Sequence, residues 1–193
     1  NIDSGIFQHT NGTLHGVTPN GGTESVGTVH SLTTKLPAFV STITPGGAVG
    51  ARVVILGNTL TGATAVSFNG TAAIFTVVSA TEITTTVPAG ATTGKIKVTT
   101  PTATFSTDKT YRVTPKLTSF TPPSGAVGTV VTITGVSFTQ ATKVTFGGIA
   151  ATTFTVNSDT KVTATLPTGA VTGKIVVTTP GGSASSSTNF TVN

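Results

Sequence analysis

Gly46-Gly47-Ala48-Val49-Gly50, followed by Val53-Val54-Ile55-Leu56-Gly57, returns further along the chain as Ser124-Gly125-Ala126-Val127-Gly128 and Val131-Thr132-Ile133-Thr134-Gly135. The offset is about 78 residues, and a match at fixed offset marks a duplicated structural unit. The correspondence continues outward from this stretch. Ala65-Val66-Ser67-Phe68-Asn69-Gly70 matches Lys143-Val144-Thr145-Phe146-Gly147-Gly148. After one inserted residue, Val87-Pro88-Ala89-Gly90-Ala91 matches Leu166-Pro167-Thr168-Gly169-Ala170. Thr93-Gly94-Lys95-Ile96-Lys97-Val98-Thr99-Thr100-Pro101 then matches Thr172-Gly173-Lys174-Ile175-Val176-Val177-Thr178-Thr179-Pro180.

Two copies test each other's periodicity. Apolar residues alternate with polar ones, in the same phase in both: Val53/Ile55 with Val131/Ile133, Val66/Phe68 with Val144/Phe146, Ile83/Val87 with Val162/Leu166, and Ile96/Val98 with Ile175/Val177. A period of two puts these side chains on one sheet face, so they are the expected core. Each unit holds about seven such runs between Gly, Pro and Asn turns, the pattern of an immunoglobulin-like sandwich. The expected fold is all-β: two tandem immunoglobulin-like β-sandwiches with an extended N-terminal β segment. The boundaries fall at 1–36, 37–114 and 115–193. Val113-Thr114-Pro115-Lys116 is a short, proline-containing connection, which predicts a stiff end-to-end pair.

Composition agrees. The 193 residues include 23 Gly and 10 Pro but no Cys, Met or Trp, and 8% are charged. With 36% hydrophobic residues the chain can still bury a core, so Thr, Ser and Asn must cover much of its surface. No disulfide is possible, and no stretch reaches membrane-spanning length. No signal peptide is visible at Asn1, so the chain is expected to begin after processing or to belong to something longer. The net charge of +5 comes from scattered Lys and Arg without interleaved stacking aromatics, which argues against a nucleic-acid partner.

Each unit resembles an IPT/TIG domain. In the second copy the resemblance is carried by Phe120-Thr121-Pro122-Pro123-Ser124-Gly125, Val131 to Gly135, Val144-Thr145-Phe146-Gly147-Gly148, and the ending from Pro167 through Val177-Thr178-Thr179-Pro180-Gly181-Gly182. The first copy departs at Ile43, where an aromatic one position earlier is usual, and at Thr102-Ala103, where Gly-Gly is usual. The resemblance implies an immunoglobulin-like fold of bacterial surface proteins, cell-surface receptors and some transcription factors. With the composition, it places the chain outside a bacterial cell or on its surface. On function it is silent, because this fold hosts many roles.

Residues 1–36 do not match the repeat. Asn11 to Gly22, leading into Val26-Gly27-Thr28-Val29-His30-Ser31-Leu32, resembles one unit of the Gly-rich tandem repeats that precede such domains in large bacterial surface proteins. That resemblance implies a propeller-like array. One unit alone cannot bury its apolar face. Its fates are disorder, packing on the first sandwich, or addition of a strand to another molecule's sheet edge. The candidate assembly strand is Val26, Thr28, Val29, His30 and Leu32: alternating, uncharged and free of proline.

Chemistry is otherwise sparse. His9, His15 and His30 lack metal-ligand spacing, and Asp3, Glu24, Glu82, Asp108 and Asp159 are dispersed, so neither a metal nor a cofactor is expected. Neither repeat contains His or Cys, and no nucleophile-elbow motif occurs, so the expectation is a non-enzyme. Asn11-Gly12-Thr13, Asn69-Gly70-Thr71 and Asn189-Phe190-Thr191 are formal glycosylation sequons. Tyr111 aligns with Phe190 and is expected in the core with its hydroxyl at the rim. The reading is a structural module whose partners are copies of itself or other surface proteins, plausibly a filament subunit joined by strand addition. The alternative is an adhesin or polysaccharide-binding accessory part of a larger secreted protein. A duplex-DNA-binding sandwich is a third reading, and it lacks the basic loop cluster it would need.

Overall fold

The alternating Thr/Val runs fold into two β-sandwiches, in a computed structural model that describes residues 7–8, 13–18, 23, 27–33 and 37–193. In the first, one sheet orders Val40–Thr42, Arg52–Gly57, Glu82–Thr86 and Phe75–Ser79. The facing sheet orders Thr104–Ser106, Ile96–Thr99, Ala65–Phe68 and Thr71–Ala73. The second sandwich repeats this with Lys116–Thr121, Val130–Val136, Lys161–Thr165 and Phe154–Ser158 against Gly182–Val192, Gly173–Thr179, Lys143–Phe146 and Ile149–Ala150. All sixteen side chains expected in the core are essentially inaccessible, and each sandwich has its own core cluster.

Each sandwich carries more strands than seven. One extra strand is short and parallel: Gly46–Ala48 pairs with Arg112–Thr114, and Ser124–Gly125 pairs with the end of Gly182–Val192. Gly46 and Gly47 read as turn residues, yet they lie in a strand that approaches its partner closely. A Cβ on Gly46 would stand 2.9 Å from Arg112 Cβ, and one on Gly47 2.8 Å from Tyr111 Oη. The last strand also kinks at a buried hydroxyl. Thr107 Oγ1 accepts from Ile96 N at 3.2 Å and donates to Lys109 O at 2.8 Å. Ser186 does the same between Ile175 N and Thr188 O, at 3.0 and 2.7 Å. A side chain thus replaces a broken ladder bond in both copies.

Tyr111 is buried, edge-on to Phe68 with ring centroids 5.3 Å apart, as Phe190 is to Phe146 at 5.4 Å. Burial pushes its phenol above the ordinary value of 10.0, and a hydrogen bond with Thr44 pulls the other way. Where the first copy departs from the pattern at Ile43, the side chain projects outward instead of packing as Phe120 does against Phe190. Cross-strand hydroxyl pairs such as Thr153–Thr165 (3.1 Å) and Thr178–Ser183 (3.0 Å) cover the outer faces, as the low charge requires.

The N-terminal segment forms an antiparallel sheet in the order Phe7–Gln8, Thr13–Thr18, Thr28–Thr33. Leu14 opposes Leu32 and Val17 opposes Val29. Because side chains alternate, the Leu pair lies on one face and the Val pair on the other.

Candidate functional site

The joint between the sandwiches holds the most specific polar contacts of the described chain. Gln140 lies in the loop after Val130–Val136, at the end of the second sandwich nearest the first. Its Oε1 accepts from Thr93 N at 2.8 Å, and its Nε2 donates to Thr93 O at 3.1 Å. A primary amide pairs both backbone groups of one residue, which fixes direction as well as distance. Thr93 is itself pinned, because its Oγ1 accepts from Val113 N at 2.9 Å. Thr93 O also accepts from Asn69 Nδ2 at 3.3 Å, so the nitrogen of one formal sequon is engaged in the joint. Gly181, buried, completes the contact: a Cβ there would run into the Val113 carbonyl and come within 2.8 Å of Thr93 Oγ1. The Gly-Gly turn after Pro180 is therefore a joint element. Thr102-Ala103 stands at the equivalent place on the outer end of the first sandwich, where the positions are exposed.

The candidate assembly strand is found as a strand, less one residue. Thr28, Val29, His30 and Leu32 lie in Thr28–Thr33, while Val26 lies outside the described residues. Thr28–Thr33 stands at the edge of its sheet, with Val29 75% and Leu32 63% exposed. Thr28 Oγ1 bonds Thr18 Oγ1 at 2.8 Å and His30 Nε2 at 2.7 Å. His15 opposes Ser31 and His30 opposes Gly16, so the two imidazoles occupy opposite faces and cannot share an ion. His9 lies outside the described residues. Among the described residues no group of three potential metal ligands converges.

A groove of about 650 Å³ beside the first sandwich is lined by Thr and Ser hydroxyls with Ile43, Pro45, Lys109 and Arg112. It brings no carboxylate or imidazole to a nucleophile, so it offers no acid–base pair. Among the Phe and Tyr residues whose side chains are described Phe39 is the exposed one, and the groove has no aromatic residue in its lining. No helix among the described residues is long and apolar enough to cross a membrane.

The outer faces of the two sandwiches differ at equivalent positions. The first carries Ile43, Ile74 (92% exposed) and Val78 where the second carries Thr121, Thr153 and Asn157. One signal could have revealed this: at these three positions an aliphatic residue in the first copy aligns with a polar one in the second.

Among curated proteins none matches the chain. Among solved structures, the surface glycan-binding protein PbSGBP-B from Prevotella bryantii is similar with a TM-score of 0.53 and 19% identity, covering 79% of this chain and 41% of that one. SGBP-B from a complex xyloglucan utilization locus in Bacteroides uniformis matches with a TM-score of 0.39 and 24% identity, over 81% of this chain and 50% of that one. SGBP-B from the mixed-linkage glucan utilization locus of Bacteroides ovatus matches at 0.37 and 16%, over 94% and 52%. The chain spans about two fifths to one half of the length of these proteins. The Prevotella likeness is one of fold, and the IPT/TIG domain model matches residues 38–113 and 115–192. With most of its length so matched, the chain belongs to the IPT/TIG domain family, as two such domains in tandem.

Proposed function

We propose that the chain is a non-catalytic, stiff stem of a bacterial surface protein that handles glycans, with sugar recognition lying in another part of that protein. The single observation that carries this is the amide clamp of Gln140 on Thr93, which ties together two sandwiches with separate cores. Three things support it. The chain has no Trp, its Tyr is buried in the core, and its described Phe side chains are turned inward apart from Phe39. The groove beside the first sandwich has no carboxylate or imidazole in its lining. The fold is shared with a protein named as a surface glycan-binding protein, of which the chain spans 41%. The test is affinity electrophoresis of residues 1–193 in gels containing xyloglucan or mixed-linkage glucan. Unretarded migration is expected, and retardation by either polymer overturns the stem reading in favour of a glycan-binding module.

The N-terminal sheet favours a second, additional role. Its apolar pairs are divided between two faces, so it needs a neighbour on each, as a unit of a stacked array does. Among the described strands Thr28–Thr33 is at the edge of its sheet, where strand addition to another sheet would link subunits into a filament. Deleting residues 1–36 should then abolish any filament seen by negative-stain microscopy while both sandwiches stay folded. Filaments that persist after the deletion refute strand addition through this segment.

A further inference from the structure

The two sandwiches expose equivalent ends differently. In the first, the end facing the joint presents Val49, Thr71, Thr92 and Thr93, all half-buried. In the second, the same positions are Val127, Ile149, Val171 and Thr172, and all four are exposed, with Val127 54%, Ile149 42% and Val171 56% accessible. At the joint Thr93 is the position Gln140 contacts, and two Thr positions beside it have become Ile and Val on the far end. Exposed aliphatic side chains clustered at one end of a module mark a contact surface.

The backbone of that end is prepared in the same way. Thr172 Oγ1 accepts from Val192 N at 2.9 Å, the counterpart of Thr93 Oγ1 accepting from Val113 N at 2.9 Å. The last strand is pinned alike at both ends, and Thr172 occupies the position where Thr93 receives Gln140. One difference remains: Asn69, which also bonds the Thr93 carbonyl, is replaced by Gly147.

We infer that the free end of the second sandwich is a docking face for a further sandwich built like the second one. The occupant is defined by what the existing joint uses. It must present a primary amide at the position of Gln140, to pair the Thr172 N–H and carbonyl, and a Gly at the position of Gly181, to approach the Val192 backbone. The outer end of the first sandwich has Gly62 and Thr102 at those places, so it supplies no amide and brings a Cβ where the joint has none. A second copy of this chain, meeting head to tail, therefore does not satisfy the site. Ile149 and Val171 add apolar area that the existing joint lacks at those positions, which compensates for the missing Asn. The end positions Val127, Ile149, Val171 and Thr172 carry no charge, so covering them costs no charge desolvation.

This inference rests on the stem reading, but the two fail separately. The chain is extended by repeating residues 115–193 once after Asn193, and amide exchange at Thr172 is compared with that in the parent chain, together with domain tumbling by 15N relaxation. Slowing of Thr172 exchange by at least about fivefold, with the added sandwich tumbling as part of one rod, is expected from two new hydrogen bonds. Gln140→Ala in the added module should reverse the protection, and appending residues 37–114 instead should give none. An unprotected Thr172 with a folded, freely tumbling third sandwich overturns the inference, as does equal docking by the 37–114 module. Val171→Thr with Ile149→Thr supplies a second measurement, since both residues are exposed and the parent's melting should not change. In the extended chain the pair must weaken docking, and undiminished docking would remove the apolar contact from the proposal. Glycan retardation in gels would overturn the stem while leaving these outcomes untouched.

Discussion

Replacing Gln140 with Ala removes both hydrogen bonds to Thr93 and changes nothing in either core. Each bond is net-stabilising by about 0.5–1.5 kcal/mol, so the joint should weaken by about 1–3 kcal/mol. That corresponds to a rise of about 5–150-fold in the population of the opened joint. The Thr93 N–H is the best reporter, because Gln140 Oε1 is its acceptor and its exchange must follow joint opening. Native-state hydrogen exchange should therefore show Thr93 accelerated within that range, while the amides of Ile55 and Ile133 stay at the rates of their own sandwiches. Relaxation anisotropy should fall as the sandwiches decouple. Gln140→Glu refines the argument. It keeps an acceptor for Thr93 N but sets a carboxylate oxygen against Thr93 O, so it should open the joint about as far as Ala does. If Thr93 exchange and rotational anisotropy match the parent in both variants, the clamp is not what stiffens the pair, and the Gly181–Val113 contact or Pro115 must be.

Phe146→Ala should cost about 3–5 kcal/mol and shift the unfolding of the second sandwich alone, read by differential scanning calorimetry as one transition splitting into two. Tyr111 makes a pH prediction. Its folded phenol titrates above 10.0, so between the unfolded and folded values the unfolded chain has lost a proton that the folded chain keeps. Stability of the first sandwich should then fall as pH rises past about 10, and Tyr111→Phe should remove that component in urea melts while pH 7 behaviour changes little. Ile74→Thr with Val78→Asn copies the second sandwich's outer face onto the first. It should leave stability within about 0.5 kcal/mol and reduce dye binding to exposed apolar surface. A larger loss of stability would mean these side chains are packed.

The cores were legible because two copies carried the same alternation, and Val53, Ile55, Phe68 and their partners had nowhere else to point. Less legible was everything held by backbone proximity. Gly46-Gly47 signals a turn, yet it lies in a parallel strand, with Arg112 and Tyr111 close against its glycines. Thr107 and Ser186 look like ordinary strand hydroxyls, and only the fold brings them under a broken ladder. The joint was foreshadowed by Pro115 alone. Gln140 differs from Gly62 and Gly181 from Thr102, and those differences gain meaning only when the two ends of one sandwich are compared. The strand at Thr28–Thr33 was readable from its alternation, whereas the division of its sheet's apolar residues between two faces required the register.

The short parallel pair inside each sandwich, which follows a first strand paired antiparallel, bears on mechanics. Once the antiparallel strand Val40–Thr42 has let go, tension along the chain pulls Gly46 and Thr114 in opposite directions while their strands run side by side in the same sense. The ladder bonds between Gly46–Ala48 and Arg112–Thr114 are then loaded in shear, all at once, instead of being peeled one at a time from an end. Ser124–Gly125 against Thr191–Val192 gives the second sandwich the same geometry. Resistance to such a pull is set by the unfolding rate and not by equilibrium stability. A module arranged in this way can yield little under flow or traction even where its thermal stability is modest.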